Sequence, residues 1–80
     1  MATVYILKSL SAQKTYVGST TDFARRLAEH NSGKSTFTRT FMPWELIHKE
    51  EYPTLEEARK RERYLKTSAG RKFLKKLFAK

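Results

Sequence analysis

Five residues of this 80-residue chain have side chains that could carry chemistry: Tyr5, Tyr16, Arg26, His30 and Glu62. A tyrosine hydroxyl is a polar tip on an apolar ring, the arrangement needed to orient a phosphate or an attacking water, although tyrosines in strands also serve as core. Gly18, two residues after Tyr16, either admits a close backbone approach or ends a strand. Arg26 and His30 are four apart, so on a helix both can converge on one oxygen-rich ligand. The alternative is a cation stacked on Phe23 beside an ordinary half-buried histidine.

Glu62 is the most anomalous of the five. Leu55, Ala58 and Leu65 form an apolar helical stripe, and the spacing 3, 4, 3 that makes it continuous places Glu62 in its middle. A carboxylate buried there requires pairing, hydrogen bonding or a metal to compensate its desolvation. Alternatively it lies at the edge of the stripe and pairs with Lys66 one turn on.

The elements that would position these residues follow from local patterning. Residues 3–8 and 15–19 are rich in β-branched and aromatic types around a polar Ser9–Lys14 segment, which predicts a β-hairpin. Pairing symmetric about Leu10-Ser11 would set Tyr5 directly across from Tyr16. Asp22 is a suitable N-cap for a helix to Asn31 that Gly33 stops, with Phe23, Arg26, Leu27 and His30 on one side and Arg25 and Glu29 opposite. A Ser/Thr-rich loop, Lys34 to Met42, closes at Pro43, and Trp44 to Tyr52 reads as a third strand. There Trp44, Leu46 and His48 alternate with Glu45, Ile47 and Lys49, and Ile47 contradicts the simple pattern. Thr54 and Glu57 make a capping box for a helix to about Lys66. A last helix, Ser68 to Phe78, is expected to bury Phe73, Leu74, Leu77 and Phe78 and to show Arg71, Lys72, Lys75 and Lys76 to solvent.

Composition narrows the partners. Seventeen Lys and Arg stand against eight Asp and Glu, for a net charge of +9. Residues 1–58 hold seven bases and seven acids, whereas residues 59–80 hold ten bases and Glu62, so the whole excess sits in the last quarter. Such a field attracts polyanions, nucleic acid first and an anionic membrane surface second. The absence of cysteine excludes disulfides, a thiolate nucleophile and a thiolate metal site, and two histidines, His30 and His48, make no standard zinc site. The longest apolar run, Val4 to Leu7, is far short of a membrane span. One small α+β domain over residues 1–80, soluble and intracellular, is the expectation, in the cytoplasm with association to the nucleoid left open.

Taken together, the Thr3-Val4-Tyr5 segment, the eleven-residue step to Tyr16-Val17-Gly18, Arg26, His30 and the Glu62 helix resemble the GIY-YIG nuclease superfamily. The segment Glu57 to Glu62, followed by Leu65-Lys66, is similar to the family's helix that presents its metal-binding glutamate, and His30 to Lys34 and Pro43 to Leu46 resemble the small members consisting of this domain alone. Thr3 stands where the first motif has glycine, Val4 and Val17 where the motifs have isoleucine, and no asparagine follows the Glu62 helix.

The resemblance implies a three-stranded antiparallel sheet flanked by helices in the order β-β-α-β-α-α. It implies Tyr5 and Tyr16 as the motif tyrosines, Arg26 as the catalytic arginine, His30 as an accessory residue and Glu62 as ligand of one divalent metal. Mg²⁺, or Mn²⁺, suits a lone Glu completed by water and phosphate oxygens. The expected activity is phosphodiester hydrolysis in DNA rather than RNA, selective for structure more than sequence, in repair or recombination. Lys60, Arg63, Lys66, Arg71, Lys72, Lys75 and Lys76 would hold the backbone on either side of the scissile phosphate. The rival reading is a nucleic-acid-binding module of the same fold without turnover, and a third is membrane binding by the last helix. A protein partner and the oligomeric state stay open.

Overall fold

A computed structural model describes residues 1–34 and 38–78, and in it β1 (Ala2–Ser9) forms the middle of a three-stranded antiparallel sheet. Strands β2 (Thr15–Thr20) and β3 (Trp44–Tyr52) flank it in the order β2-β1-β3. Helices α1 (Phe23–Ser32), α2 (Leu55–Leu65) and α3 (Ser68–Phe78) complete the expected β-β-α-β-α-α order, with a short 3₁₀ turn at Arg39–Phe41 before β3. Part of the Ser/Thr-rich loop and the side chain of Phe78 lie outside the described residues.

The hairpin register differs from the expected one by two residues. Tyr5 pairs with Gly18, and Tyr16 pairs with Leu7. The reason lies in the turn, where the Ser9 side-chain oxygen accepts the backbone N–H groups of Ser11 and Ala12 and donates to the Phe41 carbonyl at 2.6 Å. Ser9 N–H also donates to the Lys14 carbonyl, which closes the loop there. Because the displacement is even, Tyr5 and Tyr16 keep a common face as diagonal neighbours, with ring centroids 6.1 Å apart.

Strand β3 departs from strict alternation for a related reason. Leu46 pairs with Leu7 and His48 with Ile6, so Ile47 is the extra residue of a bulge. Trp44 and Leu46 therefore pack on one face of the sheet, while Ile47 and Tyr52 pack against the other.

Each face has its own core. Ala2, Val4, Ile6 and Val17 pack beneath α2 and α3 against Ala58, Leu65 and Leu74. Leaving the opposite face, Tyr5, Leu7 and Trp44 pack with Tyr16 and with Phe23 and Leu27 of α1. Phe73 and Leu77 join the first core as expected, partly buried. Both helix starts follow from their caps: Asp22 accepts the Arg25 N–H at 3.2 Å, and Thr54 accepts the Glu57 N–H at 3.2 Å. Gly33 ends α1 in the left-handed conformation with φ 84°. Asn31 ties α1 to β3 by accepting the Trp44 N–H at 2.7 Å and donating to the Trp44 carbonyl at 3.2 Å.

Candidate active site

The site forms around β2, which is an edge strand and so has α1 residues on one side and α2 residues on the other. On the α1 side the Tyr5 ring is 1% exposed, and its hydroxyl lies directly over Gly18. A Cβ at Gly18 would stand 2.6 Å from that hydroxyl and 2.8 Å from the Tyr16 ring, so only glycine leaves room for the two phenols. Tyr16 is half-buried, its ring 4.7 Å from that of His30 and 6.4 Å from that of Trp44.

Of the two readings of His30, a ligand-facing side chain or a half-buried histidine, its placement is nearer the second. It is fully buried, and both ring nitrogens are taken by the protein: Nε2 shares a hydrogen bond with the Tyr5 hydroxyl at 3.0 Å, and Nδ1 one with Thr38 Oγ1 at 2.9 Å. Burial, with help from the Arg26 charge, pushes its pKa below the ordinary value, so the imidazole is neutral. Arg26 and His30 do converge, but on Tyr5. Arg26 lies at the rim, donating to Glu29 Oε1 at 2.8 Å, while Arg25 is exposed as predicted. Tyr5 and Glu29 hold the Arg26 guanidinium cationic against the opposing effect of burial. The Phe23 ring carries the Lys49 ammonium, 5.2 Å from its centroid.

Burial raises the Tyr5 pKa to about 12, and the neighbouring Tyr16 adds to this, while Arg26 acts the other way. The Glu62 charge adds the smallest of these contributions, also upward.

Glu62 reaches the site from α2, on the far side of β2. It lies at the edge of the apolar stripe instead of its middle: its side chain is 22% exposed, while Ala58 and Leu65 are buried. Ser19, adjacent to Gly18 and on the opposite face of the strand, donates to Glu62 Oε1 at 2.5 Å. Lys66 donates to Oε2 at 2.7 Å. Burial opposes ionisation, but Lys66 and Ser19 together hold the carboxyl below its ordinary pKa.

One carboxylate and a serine hydroxyl are hard oxygen donors, a set that fits Mg²⁺ or Mn²⁺ with water completing the coordination. Among the described residues no cluster of three or more His, Cys, Asp or Glu could hold a metal ion.

A groove of about 710 Å³ opens beside the site, and Lys14, Tyr16, Leu65, Lys66, Arg71 and Lys75 are among the residues that line it. Of the seven bases expected to meet a polyanion, all are exposed, and Lys66, Arg71 and Lys75 line this groove. Lys60, Arg63, Lys72 and Lys76 are not among the groove residues. Lys14, on the turn of the hairpin, is a groove cation that the skewed charge of the last quarter concealed.

Ser19 and Thr38 were also outside the sequence reading. Ser19 acts through Glu62, 43 residues on, and Thr38 through His30, eight residues back, and a lone Ser or Thr carries no periodic signal. The same holds for Glu50 on β3, which accepts Arg61 Nε at 2.9 Å, the Tyr52 hydroxyl at 2.7 Å and His48 Nε2 at 2.9 Å. Although burial opposes it, this network brings the Glu50 pKa down to about 2 and ties β3 to α2.

Residues 1–76 match the GIY-YIG catalytic domain, and two motif tyrosines, an arginine and a glutamate brought around one edge strand are consistent with that match. The chain belongs to the GIY-YIG family of nuclease domains. Within it, the chain is similar to the UPF0213 proteins. It is 37% identical over 73 residues to one from Staphylococcus haemolyticus, covering 90% of this chain and 88% of that protein. A second, from Streptococcus pneumoniae, is 48% identical over 52 residues, 64% of this chain and 52% of the relative. With 65% of a Listeria monocytogenes relative covered as well, the chain spans about half to two thirds of the length of these two relatives. The solution NMR structure of a UPF0213 protein from Bacillus halodurans is 34% identical and superposes with a TM-score of 0.56, over 96% of this chain and 85% of that one. No helix among the described residues is long and apolar enough to cross a membrane.

Proposed function

We propose that this chain is a divalent-cation-dependent endonuclease that hydrolyses phosphodiester bonds in DNA, choosing substrates by structure more than by base sequence, in repair or recombination. The observation that carries the proposal is the placing of Tyr5, Tyr16 and Arg26 on one side of β2 and Glu62 on the other, beside a basic groove.

Roles follow from burial and charge. Tyr16, which borders the groove, orients the attacking water. Tyr5, with a pKa near 12, stays protonated at neutral pH and acts as a fixed hydrogen-bonding group, not a base. His30 holds Tyr5 from behind and is a positioning residue. Arg26 neutralises charge developing on the phosphoryl oxygens. Glu62, with the Ser19 hydroxyl, would hold Mg²⁺ or Mn²⁺, which when bound supplies further charge neutralisation at the phosphate. Arg71 and Lys75 contact backbone phosphates, which positions the strand without reading bases.

Incubation of the purified protein with supercoiled and with branched DNA, in Mg²⁺ or in chelator, tests the reading. Cleavage in Mg²⁺ alone, greater on branched DNA, supports it. Binding without cleavage under every condition would favour the non-catalytic module, and vesicle association that persists against competing DNA would favour a membrane role for α3.

A further inference from the structure

Lys66 occupies two environments at once. Its ammonium lies 2.7 Å from Glu62 Oε2, and its side chain lines the groove with Arg71 and Lys75. The residue is the C-cap of α2, its backbone fixed by bonds from its own N–H to the Arg63 and Tyr64 carbonyls. The four-carbon stem beyond that anchor is flexible, and the side chain is 53% exposed. Glu62 Oε1 is held separately by Ser19, so the carboxylate keeps its position if the lysine leaves Oε2.

We propose that Lys66 is a positioning residue that exchanges between Glu62 and a polyanion in the groove, so that nucleic acid and a divalent cation bind cooperatively. This rests on the reading of Glu62 as a cation ligand. While Lys66 sits on Oε2 it blocks one of the two carboxylate oxygens and opposes a second positive charge nearby. A backbone phosphate in the groove draws the ammonium away, which frees Oε2 and removes that repulsion. An exposed pair four residues apart changes an equilibrium only about twofold, so the exchange is easy. Repulsion between an ammonium and a divalent cation a few ångströms apart in a wet site changes cation affinity by about tenfold. By linkage the cation tightens the polyanion by the same factor. The consequence is a site that assembles its cation fully only when substrate is present.

Calorimetric titration of Mn²⁺ into the intact protein, alone and saturated with a phosphorothioate oligonucleotide, reads this coupling without any cleavage. The wild type should bind Mn²⁺ about five- to tenfold more tightly with the oligonucleotide. Lys66→Gln should bind Mn²⁺ more tightly than wild type in its absence and gain markedly less from adding it. Lys66→Arg, which keeps the charge, should keep the coupling. Equal Mn²⁺ affinity in wild type and Lys66→Gln, or equal gain from the oligonucleotide in both, overturns the exchange. Mn²⁺ that binds Glu62→Gln as well as wild type overturns the cation reading itself and the exchange with it, which separates the two failures.

Discussion

Adding one methyl group at Gly18 should disrupt the site more than most larger changes on the surface. In Gly18→Ala the new Cβ would lie 2.6 Å from the Tyr5 hydroxyl, 2.8 Å from its Cζ and 2.8 Å from the Tyr16 ring. The Tyr5 ring cannot simply swing aside. Phe23 and His30 stand 5.5 and 5.8 Å from it, centroid to centroid, and His30 holds its hydroxyl. Either the strand or both phenols must shift by a good fraction of an ångström. Overpacking of this kind costs about 2 kcal/mol. For a domain of this size that lowers the thermal midpoint by about 8–16 °C. Displacement of the phenols should lower turnover by about 10²-fold. Thermal unfolding by circular dichroism and single-turnover cleavage, run well below the lowered midpoint, measure the two effects separately. A variant with wild-type midpoint and wild-type rate would refute the placement of the Tyr5 hydroxyl over Gly18.

Other outcomes follow from the same geometry. His30→Phe leaves the Tyr5 hydroxyl and Thr38 Oγ1 buried without their ring-nitrogen partners. The loss should be about 2–4 kcal/mol in denaturant unfolding, and an unaltered midpoint would count against the buried chain of hydrogen bonds. Glu50, held at about pKa 2 against an ordinary 4.5, stabilises the fold above pH 4.5 by about 3 kcal/mol, and this contribution is lost as pH falls toward 2. Glu50→Gln should therefore be less stable than wild type at neutral pH, with the gap closing across that acid window; a gap independent of pH would contradict it. Replacing Arg71 and Lys75 by Ala together should reduce the salt dependence of DNA binding by about two phosphate contacts. An unchanged slope would remove the groove from the substrate path.

Much of this was legible in the sequence, and the exceptions have particular causes. The helix of Arg26 and His30 follows from Asp22, Gly33 and the period of its apolar residues, all local signals. Tyr5 and Tyr16 share a face in either register because strands alternate every two residues and the two registers differ by two. The register itself depends on Ser9 folding the turn onto itself and onto Phe41, a contact 32 residues distant. Ile47 did signal its bulge by breaking the alternation, but which neighbours it would join depends on pairing with Ile6 and Leu7. Glu62 shows the limit of helical periodicity. The stripe placed it near the core, yet whether it lies inside or at the edge is decided by Ser19, a residue on another element that donates to it. The Glu50 network is invisible for the same reason, since Arg61 meets it only once β3 and α2 have packed.

The central claim is that Glu62 works with Arg26 and the two phenols at a single phosphate. Single-turnover cleavage of branched DNA by Glu62→Gln and by Arg26→Ala, with DNA affinity measured in chelator, tests it most directly. Each variant should bind DNA within about threefold of wild type, since neither removes more than one phosphate contact, and cleave at least about 10²-fold more slowly. Cleavage by Glu62→Gln at the wild-type rate in Mg²⁺ would contradict the account.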